Sequence, residues 1–295
     1  MIPIRTSVEV QDIPGAVIGL IVASVSVFIF QSGLSDDLAK QFILQNGLLP
    51  ARFADHNVAR ELGLNPFNVL PFLTSQFMHA DWLHLTVNMW TLWLFGRAIE
   101  ERLGAARFVL FYLACGLIAG LAHLAFNLDS GMPTLGASGA VAGVLGAYTV
   151  IYPAARIAIL TPILFFPVIF HLPLMIYTGL WFAFQVALGI ADFSLTKDVG
   201  GIAWWAHIGG FVAGLALIGV IGGQRRRVRE IGALRARVRE IGAPRARTIA
   251  TDNQMRGGPQ PKPRAAGAPP RKAGRDSLAR RLAKRGRSVI PQSGA

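Results

Sequence analysis

Polar and apolar positions in this chain separate on a scale far longer than one turn of a soluble helix or one strand. Charged residues are absent from Ile13–Ser35, Trp82–Gly96, Phe108–Leu128, Ser130–Ala155, Ile157–Ala191 and Val199–Gln224, runs of 23, 15, 21, 26, 35 and 26 residues. A helix needs about 20 residues to cross ~30 Å of hydrocarbon, so five of these runs are long enough unaided. The second becomes long enough when Leu83–Ile99 is read as one helix with Arg97 snorkelling at its end. The fifth holds Pro162, Pro167 and Pro173, which break a helix. It is read as a span over about Leu172–Ile190, preceded by an irregular interfacial connection. Asp12 stands where a cleavable signal would carry positive charge, so the first run is read as a span. The pattern predicts an all-α membrane protein with a bundle of six transmembrane helices.

Composition sharpens this picture. Hydrophobic residues make up 53% of the 295 positions and charged ones 15%, against roughly 25% charged in soluble domains. A net charge of +13 is unexpected in so apolar a chain, and its distribution resolves the puzzle. Residues 222–295 hold 20 Lys/Arg against 4 Asp/Glu, whereas residues 1–221 hold 9 against 12. The chain therefore divides into a membrane domain, 1–221, and a basic tail, 222–295. The tail contains a tandem repeat, Arg227–Ala236 and Arg237–Ala246, and then becomes rich in Pro, Gly, Arg and Ala, the composition of disorder. It is a candidate for contact with anionic lipid. Nucleic acid is not expected as a partner, because the basic residues are segregated from everything that can fold. Cys115 is the only cysteine, so no disulfide framework exists.

Loop charge orients the spans. Arg97, Arg102 and Arg107 lie between the second and third spans and Arg156 in the later connection, while 129–137 has no Lys or Arg and 191–202 only Lys197. By the positive-inside rule both termini are expected in the cytoplasm. Without a recognisable presequence, the expected location is a bacterial inner membrane, with an organellar membrane as the open alternative. The second, fourth and sixth spans then all begin at the outer face. Near those starts stand the polar residues that a lipid-crossing helix should lack: His84 and Asn88, Ser138, and His207. At 1.5 Å per residue they fall at similar shallow depth, and His84 and Asn88, four apart, share a helix face. Polar and ionisable groups inside a bilayer tend to face a functional interior.

The chemistry requires each of them. A serine hydroxyl becomes a nucleophile when an imidazole accepts its proton; His207 suits that role for Ser138 and can return the proton to a leaving amine. Gly136-Ala137-Ser138-Gly139 places the serine at a loop-to-helix turn, where free N–H groups favour an oxyanion. His84 and Asn88 add side-chain donors. No Asp or Glu lies in the matching spans, so a Ser–His dyad is expected rather than a triad. No metal or cofactor is required.

These residues also carry a resemblance. The chain resembles the rhomboid family of intramembrane serine proteases in His79-x4-His84-x3-Asn88 at the second span, Gly96 to Gly104 leaving it, Gly136-Ala137-Ser138-Gly139 opening the fourth, and Ala206-His207-Ile208-Gly209-Gly210 through Gly214 in the sixth. The resemblance implies Ser138 as nucleophile, His207 as base, and His84 and Asn88 as oxyanion donors. It further implies a rhomboid-like bundle that hydrolyses transmembrane protein substrates near the outer face, in contact with the lipid bilayer. Ala142 stands four positions after the serine, where many members carry an aromatic residue. The competing reading is a catalytically silent rhomboid-like protein that binds transmembrane clients.

Supporting roles follow. Gly139/Gly143 and Gly210/Gly214 are small-xxx-small pairs that let helices approach closely. His79 is assigned either a structural role or one in the site. His123 and His171 are read as structural or interfacial, His56 as a loop residue, and Glu100-Glu101-Arg102 as a helix-end charge cluster. The fifth span has few polar residues to lock it and is the candidate lateral gate for substrate.

Overall fold

The computed structural model describes residues 2–163, 166–194 and 202–221. The basic tail, 222–295, and most of the loop before the sixth span lie outside the described residues. The described chain is mostly helical. A strand β1 (Ile2–Thr6) precedes the long helix α1 (Gly15–Ser32). Short helices α2 (Asp36–Asn46), α3 (Ala51–Ala54), α4 (His56–Glu61) and α5 (Pro71–Thr74) fill the segment before α6 (Trp82–Leu103). Then follow α7 (Ala105–Phe126), α8 (Ser138–Ile151), strands β2 (Arg156–Ile163) and β3 (Phe166–Pro173), α9 (Leu174–Ser194) and α10 (Trp204–Ile221). Helices α1, α7, α9 and α10 are long and apolar enough to cross a membrane. The other two expected spans fall on α6, which ends in charged residues, and on α8, which has only 14 residues.

The all-α expectation needs one correction. The connection read as irregular is a β-hairpin, with β2 and β3 antiparallel from Arg156↔Pro173 to Ile163↔Phe166, and β1 adds to it from Ile2↔Leu160 to Thr6↔Ile157. Its prolines exclude helix, while Ile, Val and Phe between them suit a strand. The Trp90 indole N–H donates to the Pro3 carbonyl at 2.7 Å and docks the sheet on α6. His56 is likewise not in a loop but opens α4.

Helix α8 is short because its apolar run is interrupted. Gly131, Pro133 and Gly136 delay its start, and Pro153 ends it by disfavouring helical geometry just before the ring. Its 14 residues rise only about 21 Å. Every residue from Gly139 to Thr149 is buried, so α8 is the central helix, apolar on all sides because it is enclosed on all sides. Around it pack Leu92, Phe95 and Ile99 of α6 and Phe108, Phe111 and Tyr112 of α7.

Backbone meets backbone where α8 crosses α10. A Cβ on Gly210 would overlap the Gly139 carbonyl, and one on Gly214 would overlap the Gly143 carbonyl. Toward α7, a Cβ on Gly143 would fall 2.6 Å from the Cys115 sulfur. α1 is tied to α6 at both ends. The Glu100 carboxylate accepts from the N–H groups of Ala16 and Val17, each at 2.8 Å, and the Gln31 amide donates to the His79 carbonyl at 2.9 Å. Glu100 thus supplies the negative charge that the start of α1 favours.

Gly210→Ala tests the helix crossing. The methyl has backbone carbonyl, not a flexible side chain, in its way, so the protein is expected to lose about 1–3 kcal/mol of stability. Thermal unfolding in detergent reads the loss, and an unchanged melting temperature contradicts the close crossing.

Candidate active site

The site is assembled from the starts of three helices. Asp81 caps α6, its carboxylate accepting from the His84 N–H at 2.8 Å. That cap fixes His84 at the third helical position and Asn88 one turn below it on the same face. Asn88 is buried, and its side-chain N–H₂ group has no hydrogen-bond partner among the described residues, an unusual state for a buried donor. His79 is fully buried, its carbonyl held by Gln31 and its ring edge-on to His84 at 5.2 Å. It therefore joins α1 to the α6 start and walls the His84 ring.

Ser138 is the first residue of α8. The turn that delivers it needs glycine at position 136, where φ is +126°, a conformation other residues rarely adopt. The Gly136 N–H donates to the Ser75 carbonyl at 2.9 Å, and Leu48 and Thr134 exchange backbone hydrogen bonds just before it. Where a Cβ on Gly136 would stand, the His84 Nε2 atom lies 2.9 Å away and the Ser138 Oγ 3.7 Å away. The turn therefore brings His84 and Ser138 to one point. Val141 N–H closes on the Ala137 carbonyl, leaving the N–H groups of Ser138, Gly139 and Ala140 at the positive end of α8.

His207 lies in the first turn of α10, next to Ala206, whose carbonyl is 3.5 Å from where a Gly139 Cβ would be. The Gly139–Gly210 and Gly143–Gly214 contacts hold that turn against the start of α8. Trp181 of α9 and Trp204 of α10 flank the imidazole, with ring centroids 6.2 and 6.3 Å away. Two indoles thus stand near the ring in a protein that has Ala142 rather than an aromatic residue after the serine. His207 Nδ1 lies 2.8 Å from the Gln185 side-chain oxygen. Sequence reasoning missed this partner because it looked only for carboxylates; the available signal was a lone carboxamide midway along an apolar span. The same bond ties α9 to α10 through one of the few polar residues of α9.

A cavity of about 30 Å³ opens beside Ser138, lined also by His123, Thr134, Gln76, Gly116 and Gly136. His123 is buried, with Nε2 2.8 Å from the Thr134 hydroxyl and Nδ1 3.3 Å from the Asn127 amide. It braces the loop ahead of Ser138. His171 lies on exposed β3, away from this cluster in the chain. Among the described residues no group of three His, Cys, Asp or Glu is placed to hold a metal.

A helical membrane body with a half-buried serine at a helix start, and a histidine of another helix brought to the same turn, defines a class of intramembrane protein, and sequence comparison specifies which. Residues 66–224 match the Rhomboid domain. The chain belongs to the rhomboid family. It is 31% identical over 150 residues to Rhomboid protein 1, mitochondrial, of Saccharomyces cerevisiae, covering 50% of this chain and 40% of that one. It is 34% identical over 153 residues to the presenilin-associated rhomboid-like protein A, mitochondrial, of Danio rerio, covering 51% and 37%. It is 34% identical over 145 residues to the rhomboid protease GluP of Bacillus subtilis, covering 49% and 25%. The chain thus covers less than half the length of these relatives.

The comparison corrects one expectation. The yeast and Danio rerio relatives are named as mitochondrial, so placement in a bacterial inner membrane, with both termini in the cytoplasm, is withdrawn. Arginine-rich turns and a basic tail report which side of a bilayer a loop takes, not which bilayer it is. The multi-pass membrane character stands.

Gly136→Ala probes the turn. It combines an unfavourable φ with a methyl only 2.9 Å from the His84 ring nitrogen, so a loss of about 1–3 kcal/mol is expected. Retention of full thermal stability would show that the turn has room for a side chain.

Proposed function

We propose that this chain is an intramembrane serine endopeptidase that cleaves transmembrane protein substrates near the outer face, where α6, α8 and α10 begin. The observation that carries this reading is the convergence of His84 on the Gly136–Ser138 turn while the glycine crossing holds the His207 turn of α10 against it. In the proposed reaction Ser138 Oγ attacks the scissile carbonyl as His207 accepts its proton. The oxyanion of the tetrahedral intermediate is stabilised by His84, by the Asn88 N–H₂ group, which is unpartnered among the described residues, and by the N–H groups at the start of α8. His207 then protonates the leaving amine, and water hydrolyses the acyl-enzyme by the same steps in reverse. Gly136, Gly139, Gly210 and Gly214 support the geometry, and His79 holds His84 in place.

The remaining assignments belong to the same proposal. Residues 1–221 form a six-span membrane domain in which α6 and α8 count as spans because their polar and short ends are covered by neighbours. Residues 222–295 form a tail that contacts anionic lipid and takes no part in the chemistry. The bilayer supplies both solvent and substrate, since a scissile bond reaches a serine below the surface only in a locally unwound segment.

Two outcomes are expected. Ser138→Ala and His207→Ala each abolish cleavage of a reconstituted transmembrane substrate, and the double variant is no worse than either single one, because the pair acts as a unit. A fluorophosphonate probe labels the parent protein at Ser138. A silent client-binding protein leaves the serine unlabelled, which refutes the reading. Separately, Asn88→Ala is expected to lower turnover ~10²–10³-fold while Ser138 is still labelled. Loss of labelling together with melting stability would instead make Asn88 a folding residue.

A further inference from the structure

Proteases built on a serine and a histidine face a tautomer problem. The imidazole can take a proton from the serine only if the nitrogen facing it carries a lone pair, so the other nitrogen must carry the ring proton. In the Ser-His-Asp arrangement a carboxylate enforces this choice and lends charge to the imidazolium. Here the Nδ1 partner is a carboxamide oxygen, Gln185 Oε1, at 2.8 Å.

The surroundings make that contact decisive. Gln185 is buried at 5% exposure and lies midway along α9, whose neighbouring positions are apolar. A carboxamide oxygen only accepts, so in the neutral ring this contact puts the proton on Nδ1 and leaves the lone pair on Nε2. The opposite arrangement, with the amide N–H₂ group donating to Nδ1, would put the proton on Nε2 and disable the base. Trp181, one turn before Gln185 on the same helix, lies tilted beside the imidazole, and Trp204 meets it edge-on. α9 therefore gives His207 both a hydrogen bond and a wall. His84 of α6 and His123 of α7 are the other titratable groups within electrostatic reach of His207. Neither is its hydrogen-bond partner among the described contacts.

We propose that Gln185 is the positioning residue of this protein: it fixes the proton of His207 on Nδ1 and turns Nε2 toward Ser138, making the site a Ser–His–Gln arrangement with an uncharged third member. This rests on the proposed protease activity but is tested partly without it. Because the third member is neutral, it orients the base without adding the charge stabilisation that a carboxylate gives. It also avoids burying an anion in a membrane interior, which is a large penalty for an unpaired charge. A further consequence is geometric. Moving α9 outward to admit a substrate breaks the bond that keeps the base in working form, so α9 must be closed when bond cleavage occurs.

The experiment compares Gln185→Met, similar in size but without an acceptor oxygen, with Gln185→Glu, which retains one. In the parent protein, ¹⁵N spectra of labelled histidine are expected to place the His207 ring proton on Nδ1, with Ser138→Ala as a folded control. Gln185→Met is expected to move the proton toward Nε2. It should also lower kcat about 10–100-fold at unchanged KM, a part of the ~10²–10⁴ that a positioned base contributes. Gln185→Glu is expected to restore kcat and move the acid limb of the pH–rate profile to higher pH, because an anionic partner favours the imidazolium. A ring proton on Nε2 in the parent overturns the proposal. So does a Gln185→Met protein with the parent's tautomer and kcat, or a Gln185→Glu protein that melts like the parent yet is as slow as Gln185→Met. The tautomer is read without substrate. A protein that cleaves nothing but carries the proton on Nδ1 therefore counts against the protease reading and in favour of the Gln185 assignment.

Discussion

The fold depends on one constraint: α8 and α10 approach until their backbones touch. Side chains normally keep helix axes 8–10 Å apart, but Gly139 and Gly143 face Gly210 and Gly214 with no space for a Cβ between them. In a bilayer, where lipid tails are as apolar as leucine, such close packing is what holds helices together. The same glycines that hold the bundle also register its chemistry, because Gly139 follows Ser138 and Gly210 is three residues after His207. Stability and alignment cannot be varied independently here.

Around that crossing, the other helices each supply what the central pair lacks. α8 rises only about 21 Å, less than the ~30 Å of hydrocarbon, and it is buried from Gly139 to Thr149. α6 presents His84 and Asn88 on one face, with the α6 start pinned by Asp81. α9 contributes Trp181 and Gln185 to His207. His207 is thus met by a partner on another helix, which is how ionisable groups are tolerated at membrane depth.

Much of the site was legible because polar residues are conspicuous in apolar spans. His84, Asn88, Ser138 and His207 could be grouped by depth alone, and the structure brings His84 to the Ser138 turn and holds the His207 turn against α8. What escaped was whatever depended on a distant partner or on local conformation. The start of α8 did not escape: 129–137 reads as a loop, and the helix begins at Ser138, at the loop-to-helix turn expected there. The prolines of 157–173 excluded a helix without announcing that the remaining Ile, Val and Phe would pair as strands and recruit β1. Gln185 was overlooked because orientation of a histidine was sought from carboxylates. Glu100 was taken with its charged neighbours, although its partners are on α1, 84 and 83 residues away.

That last contact bears on the order in which the protein is made. α1 has no acidic residue in its own first turn, and its leading N–H groups find their acceptor only in the last part of α6, 84 positions later. In chain order, α1 is therefore complete only once α6 has been made. The helix must wait, held by its own hydrophobicity, while the whole segment of short helices and then α6 are synthesised. Only the arrival of Glu100 finishes its start, and Gln31 meeting His79 finishes its end. The antiparallel α1–α6 pair is thus the earliest unit of the bundle that can close on itself during biogenesis.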